Sequence, residues 1–190
     1  MKNIDLSIKG PFNLIGPKTI FNIPENKLFG IYFFTIKVKN KYLIEYIGIT
    51  KRNYLTRLKE HMKELMSGGY QLYDFKKIRE DKEFLVWKGR YGKDVDDITV
   101  FLNNYQKFSQ VIKKQLSEFK IFLIPLNENR RILERVEGKI YKILKENNNK
   151  LTKIFIKGVK SSSRRQNEKL IKIEIKLNKF LLELPNSFEI

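Results

Sequence analysis

The sequence predicts an α+β fold in which helices flank a small antiparallel sheet, made of a hairpin and one later strand. Aromatic and β-branched residues dominate 29–38 and again 42–49, which is typical of a β-hairpin. Apolar residues recur every three or four positions in 54–65 and 128–146, the spacing of helices that face a core. The apolar run 119–126 is short enough to be a buried strand between them.

The chain is expected to form one domain with additions at both ends, since its 190 residues and 42% apolar content suffice for a buried core. Gly-Pro pairs interrupt its beginning, so we interpret 1–27 as an N-terminal arm with one edge strand. The main domain is assigned to 28–150 with an insertion at about 68–118. A C-terminal extension, 151–190, is expected to pack on the same domain.

The first helix has a start and a stop signal in the sequence. Thr50 is the predicted N-cap, and Gly68-Gly69 is the predicted end. Arg57 and His61 lie four positions apart within it, so their side chains are expected on the same face.

The insertion and the tail carry weaker patterns. Within the insertion we expect a short strand at 84–87 in a longer loop, followed by a helix at 103–118. In the tail, a basic polar loop at 157–165 precedes 170–177, where apolar and charged residues alternate. That alternation predicts a half-buried strand.

Lysine and arginine outnumber the acidic residues 39 to 21, which gives the chain a formal charge of +18. A surplus of this size creates a field that concentrates polyanions near the surface. A solubility charge or the composition of an AT-rich genome would also supply lysines, although genome bias would add acidic residues to balance them. We therefore expect a nucleic acid partner, DNA in the first place, with RNA not excluded.

Cysteine is absent and histidine occurs once, which excludes disulfides, thiolate metal sites and sites built from several histidines. Any bound metal must then be held by oxygen ligands. No apolar run reaches the length of a membrane span, and the first ten residues contain charges. These features predict a soluble cytoplasmic protein that does not associate with a membrane.

A set of motifs and polar residues occurs in a distinctive order along the chain. In that order the set is Gly30-Ile31-Tyr32, Tyr46-Ile47-Gly48, Arg57, His61, Glu137 and Asn149. Either tripeptide alone is common in apolar strands, but independent packing choices would not recreate the whole ordered set. The set resembles the GIY-YIG nuclease family. The likeness covers 28–65 and resumes over 119–149, with the insertion between them.

The resemblance implies a divalent-metal-dependent endonuclease that hydrolyses DNA phosphodiester bonds. Glu137 would hold one Mg²⁺ or Mn²⁺ ion per active site, because one carboxylate with waters suits such a cation. Tyr32 would take a proton from the attacking water, which requires its pKa to fall near a positive charge. Arg57 would supply that charge and clamp a phosphate, and His61 would accept or relay the proton of Tyr32.

The resemblance also implies that Tyr46 orients water or phosphate and that Asn149 ties the site together. Taken singly, each residue has a plainer interpretation, since strand tyrosines usually pack and a lone helical arginine or histidine is usually at the surface. Glu134 lies one turn before Glu137 and competes with it for the metal. The spacing to Asn149 favours Glu137.

Further cationic and hydroxyl side chains are candidates for contacts with phosphates. These candidates are Lys41, Arg52, Ser162, Arg164 and Arg165. A charged hairpin turn and a solvated linker are the plainer interpretations of the turn lysine and of the serine and arginine loop. The chain most resembles freestanding, restriction-type or other bacterial members of the family, which allows a homodimer with two active sites.

Two other classes of protein fit parts of the sequence. A catalytically silent, basic nucleic-acid-binding protein needs the charge but not the complete set of Tyr, Arg, His and Glu residues. A structural or ribosome-associated basic protein is suggested only by the lysine content. Cleavage of DNA in the presence of Mg²⁺ separates the nuclease from both.

Overall fold

The structure, a computed structural model, describes residues 2–80, 82, 84–91, 97–147, 164–176, 181 and 183–190. These residues form an α+β architecture in which five helices flank small sheets, so the predicted fold class is confirmed. In chain order the strands and helices are β1 (Lys2–Ser7), β2 (Lys9–Asn13), β3 (Gly30–Val38), β4 (Lys41–Thr50), α1 (Tyr54–Met66), β5 (Leu72–Tyr73), α2 (Phe75–Arg79), β6 (Leu85–Trp87), α3 (Ile98–Asn103), α4 (Tyr105–Glu118), β7 (Phe119–Pro125), α5 (Arg130–Glu146), β8 (Ile171–Lys176) and β9 (Ser187–Glu189).

Strand β3 is an inner strand of a four-stranded antiparallel sheet with the order β2-β7-β3-β4. It pairs with β4 in the predicted hairpin and with β7, the predicted later strand. Strand β2 is the fourth strand of this sheet, in addition to the three that the sequence predicts. It comes from the N-terminal arm and forms the edge strand expected there, while β4 forms the opposite edge.

A second sheet corrects the interpretation of 1–27 as an arm with a single edge strand, because the segment contains two strands. Strand β1 runs parallel to β8, with Lys2 opposite Ile171, and β9 pairs with β8 on its other side. The arm therefore contributes one strand to each sheet. The partners of β1 lie at the far end of the chain, so its local sequence contains no signal of the pairing.

The alternation of side chains along β3 separates two hydrophobic cores, because successive residues of a strand point to opposite faces. Ile31 and Phe33 belong to one core, which α5 and the second sheet cover. Tyr32 and Phe34 belong to the other core, which α1 covers. A third core, around Trp87, lies between the insertion and Leu65 of α1.

Several element boundaries differ from those that the sequence predicts. The N-cap of α1 is Asn53, whose side chain accepts a hydrogen bond from the Thr56 amide, and not Thr50. Thr50 is the last residue of β4, and its hydroxyl donates to the Arg52 carbonyl. In the insertion, α4 confirms the helix expected at 103–118 and β6 the short strand expected at 84–87, whereas β5, α2 and α3 are additional elements.

No helix in the described part of the chain combines the length and the apolar character that crossing a membrane requires.

Tyr54 joins α1 to the central sheet and provides a test of this packing. Its buried hydroxyl lies 3.1 Å from the carbonyl oxygen of Ile31 and 2.8 Å from that of Ile124. Tyr54→Phe leaves both carbonyls without this donor and is expected to lower the free energy of unfolding by about 1–2 kcal/mol. Urea denaturation of the two proteins measures the difference, and equal stabilities would contradict the role of this hydroxyl.

Candidate active site

The structure brings four of the six predicted catalytic residues together where β3, β4 and α1 meet. The Tyr32 hydroxyl lies 2.7 Å from Nε2 of His61, and Nε of Arg57 donates to that hydroxyl at 3.2 Å. The ring of Tyr46 lies 6.1 Å from that of Tyr32 and 5.4 Å from that of His61. The predicted closeness of Tyr32, Arg57 and His61 is therefore confirmed.

Gly48 makes room for the phenol of Tyr32. The two residues face each other across the hairpin, and a Cβ atom at Gly48 would lie 2.4 Å from both Cζ and the hydroxyl oxygen of Tyr32. Any side chain at this position would displace the phenol from His61. Packing against Tyr32 thus explains why the second tripeptide ends in glycine, which the sequence alone does not reveal.

Tyr70, which sequence reasoning missed, completes a chain of hydrogen bonds. Its hydroxyl lies 3.0 Å from Nδ1 of His61, so each ring nitrogen of His61 has a tyrosine partner. Because Arg57 can only donate, we assign the Tyr32 hydroxyl as its acceptor and as the donor to Nε2. Nδ1 of His61 then carries the proton and donates to Tyr70. No local pattern in the insertion indicates this role.

Burial favours the neutral forms of Tyr32 and His61. Burial raises the pKa of Tyr32, Tyr46 raises it further, and Arg57 opposes both. Burial also lowers the pKa of His61 to about 3, with Arg57 lowering it further and Glu60 opposing. The pKa of Tyr32 was expected to fall beside a cation, and this expectation is wrong because desolvation outweighs the charge of Arg57.

Arg52 provides a second cation beside the cluster. Glu60 accepts two hydrogen bonds from Arg52, at 2.6 and 2.7 Å, and one from Arg57 at 3.1 Å. Arg52 first and then Arg57 lower the pKa of Glu60 to about 2. Arg52, a predicted phosphate contact, thus lies at the site, and both guanidinium groups share one acidic partner at the surface.

Glu137 is not part of the hydrogen-bonded cluster. Its helix, α5, packs through Val136 and Ile140 on the face of the sheet that carries Ile31, whereas Tyr32 points to the opposite face. Among the described residues, no hydrogen bond or ion pair joins Glu137 to the four clustered side chains. The two faces meet at the edges of the sheet, and β4, which α5 contacts, forms one of these edges.

The carboxyl of Glu137 is nevertheless unusual. It is half-buried, and burial raises its pKa to about 7, with Glu134 raising it further and Arg130 opposing. Glu134 forms an ion pair with Arg130, whereas no cation pairs with Glu137 in the described part of the chain. The described residues also contain no group of three or more His, Cys, Asp or Glu side chains that could hold a metal ion.

The remaining predicted residues are not assembled at the cluster. Lys41 begins β4 and lies seven residues from Gly48, about 23 Å at the usual rise of a strand. Arg164 and Arg165 are exposed and bond to Glu168, which pairs with Arg131 of α5. Two further predicted residues, Asn149 and Ser162, lie outside the described residues.

No family model, curated protein or solved structure matches the chain. The resemblance to GIY-YIG nucleases therefore rests on the ordered residues, and any function must be argued from the site itself.

His61 is the single histidine of the chain, so its ring protons give one unambiguous set of NMR signals. With its pKa lowered to about 3, the Hε1 resonance is expected to stay at the neutral position from pH 8 to pH 4.5. Because the unfolded chain binds a proton near pH 6.5 and the folded chain does not, this residue makes stability fall as the pH drops through that value. A titration midpoint near 6.5 in the folded protein would contradict the buried, neutral state.

Proposed function

We propose that this protein is a divalent-metal-dependent endonuclease that hydrolyses DNA phosphodiester bonds and is related to the GIY-YIG nucleases. The observation that carries the proposal is the Tyr32 hydroxyl between Nε of Arg57, at 3.2 Å, and Nε2 of His61, at 2.7 Å. These three residue types occur in the family's order, and here they also form one connected group. The charge of +18 supplies the attraction for DNA.

Arg57 is the candidate for phosphate binding at this group. Its side chain is 31% exposed, and its guanidinium connects the fully buried Tyr32 to the surface. A planar fork of donors can hold two oxygens of a phosphate and stabilise the charge that develops on them during hydrolysis. For a phosphate to bind there, it must compete with Glu60 for the same donors.

Tyr32 and His61 form the candidate proton relay. As Tyr32 accepts a proton from the attacking water, its own proton passes to Nε2 of His61, which is neutral and lies at hydrogen-bond distance. Burial opposes both the phenolate and the imidazolium. We therefore expect the transfer only when a bound phosphate changes the field at the site, so that the water is activated in the complex and not in the free enzyme.

Glu137 fits a divalent cation in its chemistry. The carboxylate is half-buried, lacks a cationic partner among the described residues and has a pKa that burial raises to about 7, so a cation would favour its charged form. A bound Mg²⁺ or Mn²⁺ ion would neutralise charge on the phosphoryl and leaving oxygens. Since α5 and Tyr32 lie on opposite faces, a phosphate that contacts both Glu137 and Tyr32 has to sit at an edge of the sheet, and we place it at β4 because α5 contacts that strand.

Nicking of supercoiled plasmid in Mg²⁺ tests the hydrolytic function. The wild type is expected to produce open-circular DNA, and Arg57→Ala and Glu137→Gln should each slow cleavage at least about a hundredfold, because each removes stabilisation of charge in the transition state. Glu134→Gln is the matched control, since it removes a carboxylate one helical turn away that already pairs with Arg130. It should cleave at nearly the wild-type rate.

A second candidate function is a silent nucleic-acid-binding protein, and the position of Glu137 on the other face of the sheet favours it. DNA binding without any product in Mg²⁺ or Mn²⁺ would support this candidate and contradict the nuclease. Equal rates for the wild type and Glu137→Gln would remove Glu137 from the mechanism, and loss of cleavage in Glu134→Gln alone would transfer the role of metal ligand to Glu134.

The shared carboxylate of Glu60 gives a separate test of phosphate binding. Glu60→Gln frees donors of Arg52 and Arg57 and removes a negative charge, so duplex DNA is expected to bind roughly three- to tenfold more tightly at 0.1 M salt. Fluorescence anisotropy measures the affinity, which should fall steeply with salt for both proteins. Glu64→Gln, one turn further along α1, is the control, and a weaker complex for Glu60→Gln would contradict phosphate binding at these arginines.

A further inference from the structure

A cavity of about 280 Å³ opens beside the candidate active site, between the central sheet, α1 and the insertion. We call it the Glu45 cavity. Its lining includes Phe34, Glu45, Tyr46, His61, Tyr70 and Gln71. Tyr46, His61 and Tyr70 thus belong both to the candidate site and to the cavity wall. A ligand in the cavity would lie directly against the proposed catalytic group.

Glu45 faces this cavity because β4 contains a bulge. Phe34 pairs with Tyr46 and the next residue of β3, Thr35, pairs with Ile44, so Glu45 has no partner in β3. The extra residue breaks the alternation, and Glu45 therefore lines the same cavity as its neighbour Tyr46. Bulges are over-represented next to active sites, where they redirect a side chain.

The carboxyl of Glu45 has open hydrogen-bonding capacity in an apolar setting. Its closest donor is the Tyr73 hydroxyl at 3.4 Å, and that hydroxyl lies nearer, at 2.9 Å, to Oε1 of Gln71. No cation pairs with Glu45 in the described ranges of the chain. Burial raises its pKa to about 7, with the Tyr73 hydroxyl opposing. A carboxyl with one long hydrogen bond in such a place is unfavourable, and N–H donors of a ligand would offset that cost.

The charges in and around the Glu45 cavity indicate which part of a nucleotide could bind in each place. Arg52 and Arg57 lie outside the cavity lining and suit phosphates, whereas the carboxylate of Glu45 would repel a phosphate inside it. A nucleobase is uncharged and flat, and it carries N–H donors on one edge. Aromatic side chains stack on bases with little regard to sequence, and enzymes read an unstacked base through its Watson–Crick edge.

We propose that the Glu45 cavity receives one unpaired nucleobase of the bound strand and that Glu45 accepts hydrogen bonds from its N–H donors. The inference deepens the proposed nuclease function and rests on it for the nucleic acid ligand. Guanine fits best, because N1–H and the 2-amino group present two adjacent donors to the two oxygens of a carboxylate. The cavity then selects the base next to the scissile phosphate.

Short single strands in EDTA test this selection without any cleavage. The probes are labelled TTGTT, the same strand with hypoxanthine in place of guanine, and the same strand with an abasic centre. The wild type is expected to bind the guanine strand roughly tenfold more tightly than the abasic strand, with the hypoxanthine strand between them because it lacks the 2-amino donor. The Hε1 resonance of His61 should shift with the guanine strand, since His61 lines the cavity.

Glu45→Gln is the decisive variant, because it keeps the shape of the side chain and replaces one acceptor oxygen by a donor. It should bind the guanine and hypoxanthine strands equally, while Glu174→Gln, which removes an exposed carboxylate in the second sheet, should behave as wild type. Thermal melting is expected to show that Glu45→Gln folds, since burial already disfavours the charged carboxylate.

Two results would overturn the inference: equal affinity of the wild type for the guanine and abasic strands, or an unchanged preference for guanine over hypoxanthine in Glu45→Gln. The outcome is independent of hydrolysis. If the protein prefers guanine but leaves the plasmid uncut, the nuclease function is contradicted and the inference of a base pocket stands. If it cleaves the plasmid but shows no base preference, the nuclease function stands and the base pocket is contradicted.

Discussion

The pleat of β3 is the constraint on which the rest of the molecule depends. Neighbouring side chains of this inner strand enter different cores, Ile31 beneath α5 and Tyr32 beneath α1. The backbone of the strand is paired on both sides, with β4 and with β7, so its register cannot shift without losing both sets of hydrogen bonds. The position of the Tyr32 hydroxyl against His61 follows from this register and from the space left by Gly48.

Local periodicity was sufficient to predict the hairpin, α1, β7 and α5, because each of these elements has a regular pattern of large apolar residues. It also placed Arg57 and His61 on one face of α1. The parallel pairing of β1 with β8 could not be predicted, since it joins segments from opposite ends of the chain. The bulge at Glu45 and the contact of Tyr70 with His61 were missed for another reason: one depends on the register within the hairpin and the other on how the chain turns back after α1, and neither produces a periodic pattern.

Periodicity also says nothing about which face of a sheet a helix covers. The spacing of apolar residues in α5 is correct for a core helix, yet the helix covers the face opposite to Tyr32. Five residues of the ordered set lie in the described part of the chain. Four of them meet, whereas Glu137 does not contact the other four. A mechanism that uses all five has to operate across an edge of the sheet.

In the insertion, Trp87, Phe101 and Phe108 pack together in the third core, which also contains Leu65 of α1. Tyr70 and Gln71, at its beginning, also form one side of the Glu45 cavity. Other residues of the insertion, including Tyr73 and Phe75, pack in the core that contains Tyr32 and Phe34. In evolutionary terms, the insertion is not free to drift, because a change in its packing reaches both the cavity wall and the strands that carry Tyr32 and Tyr46.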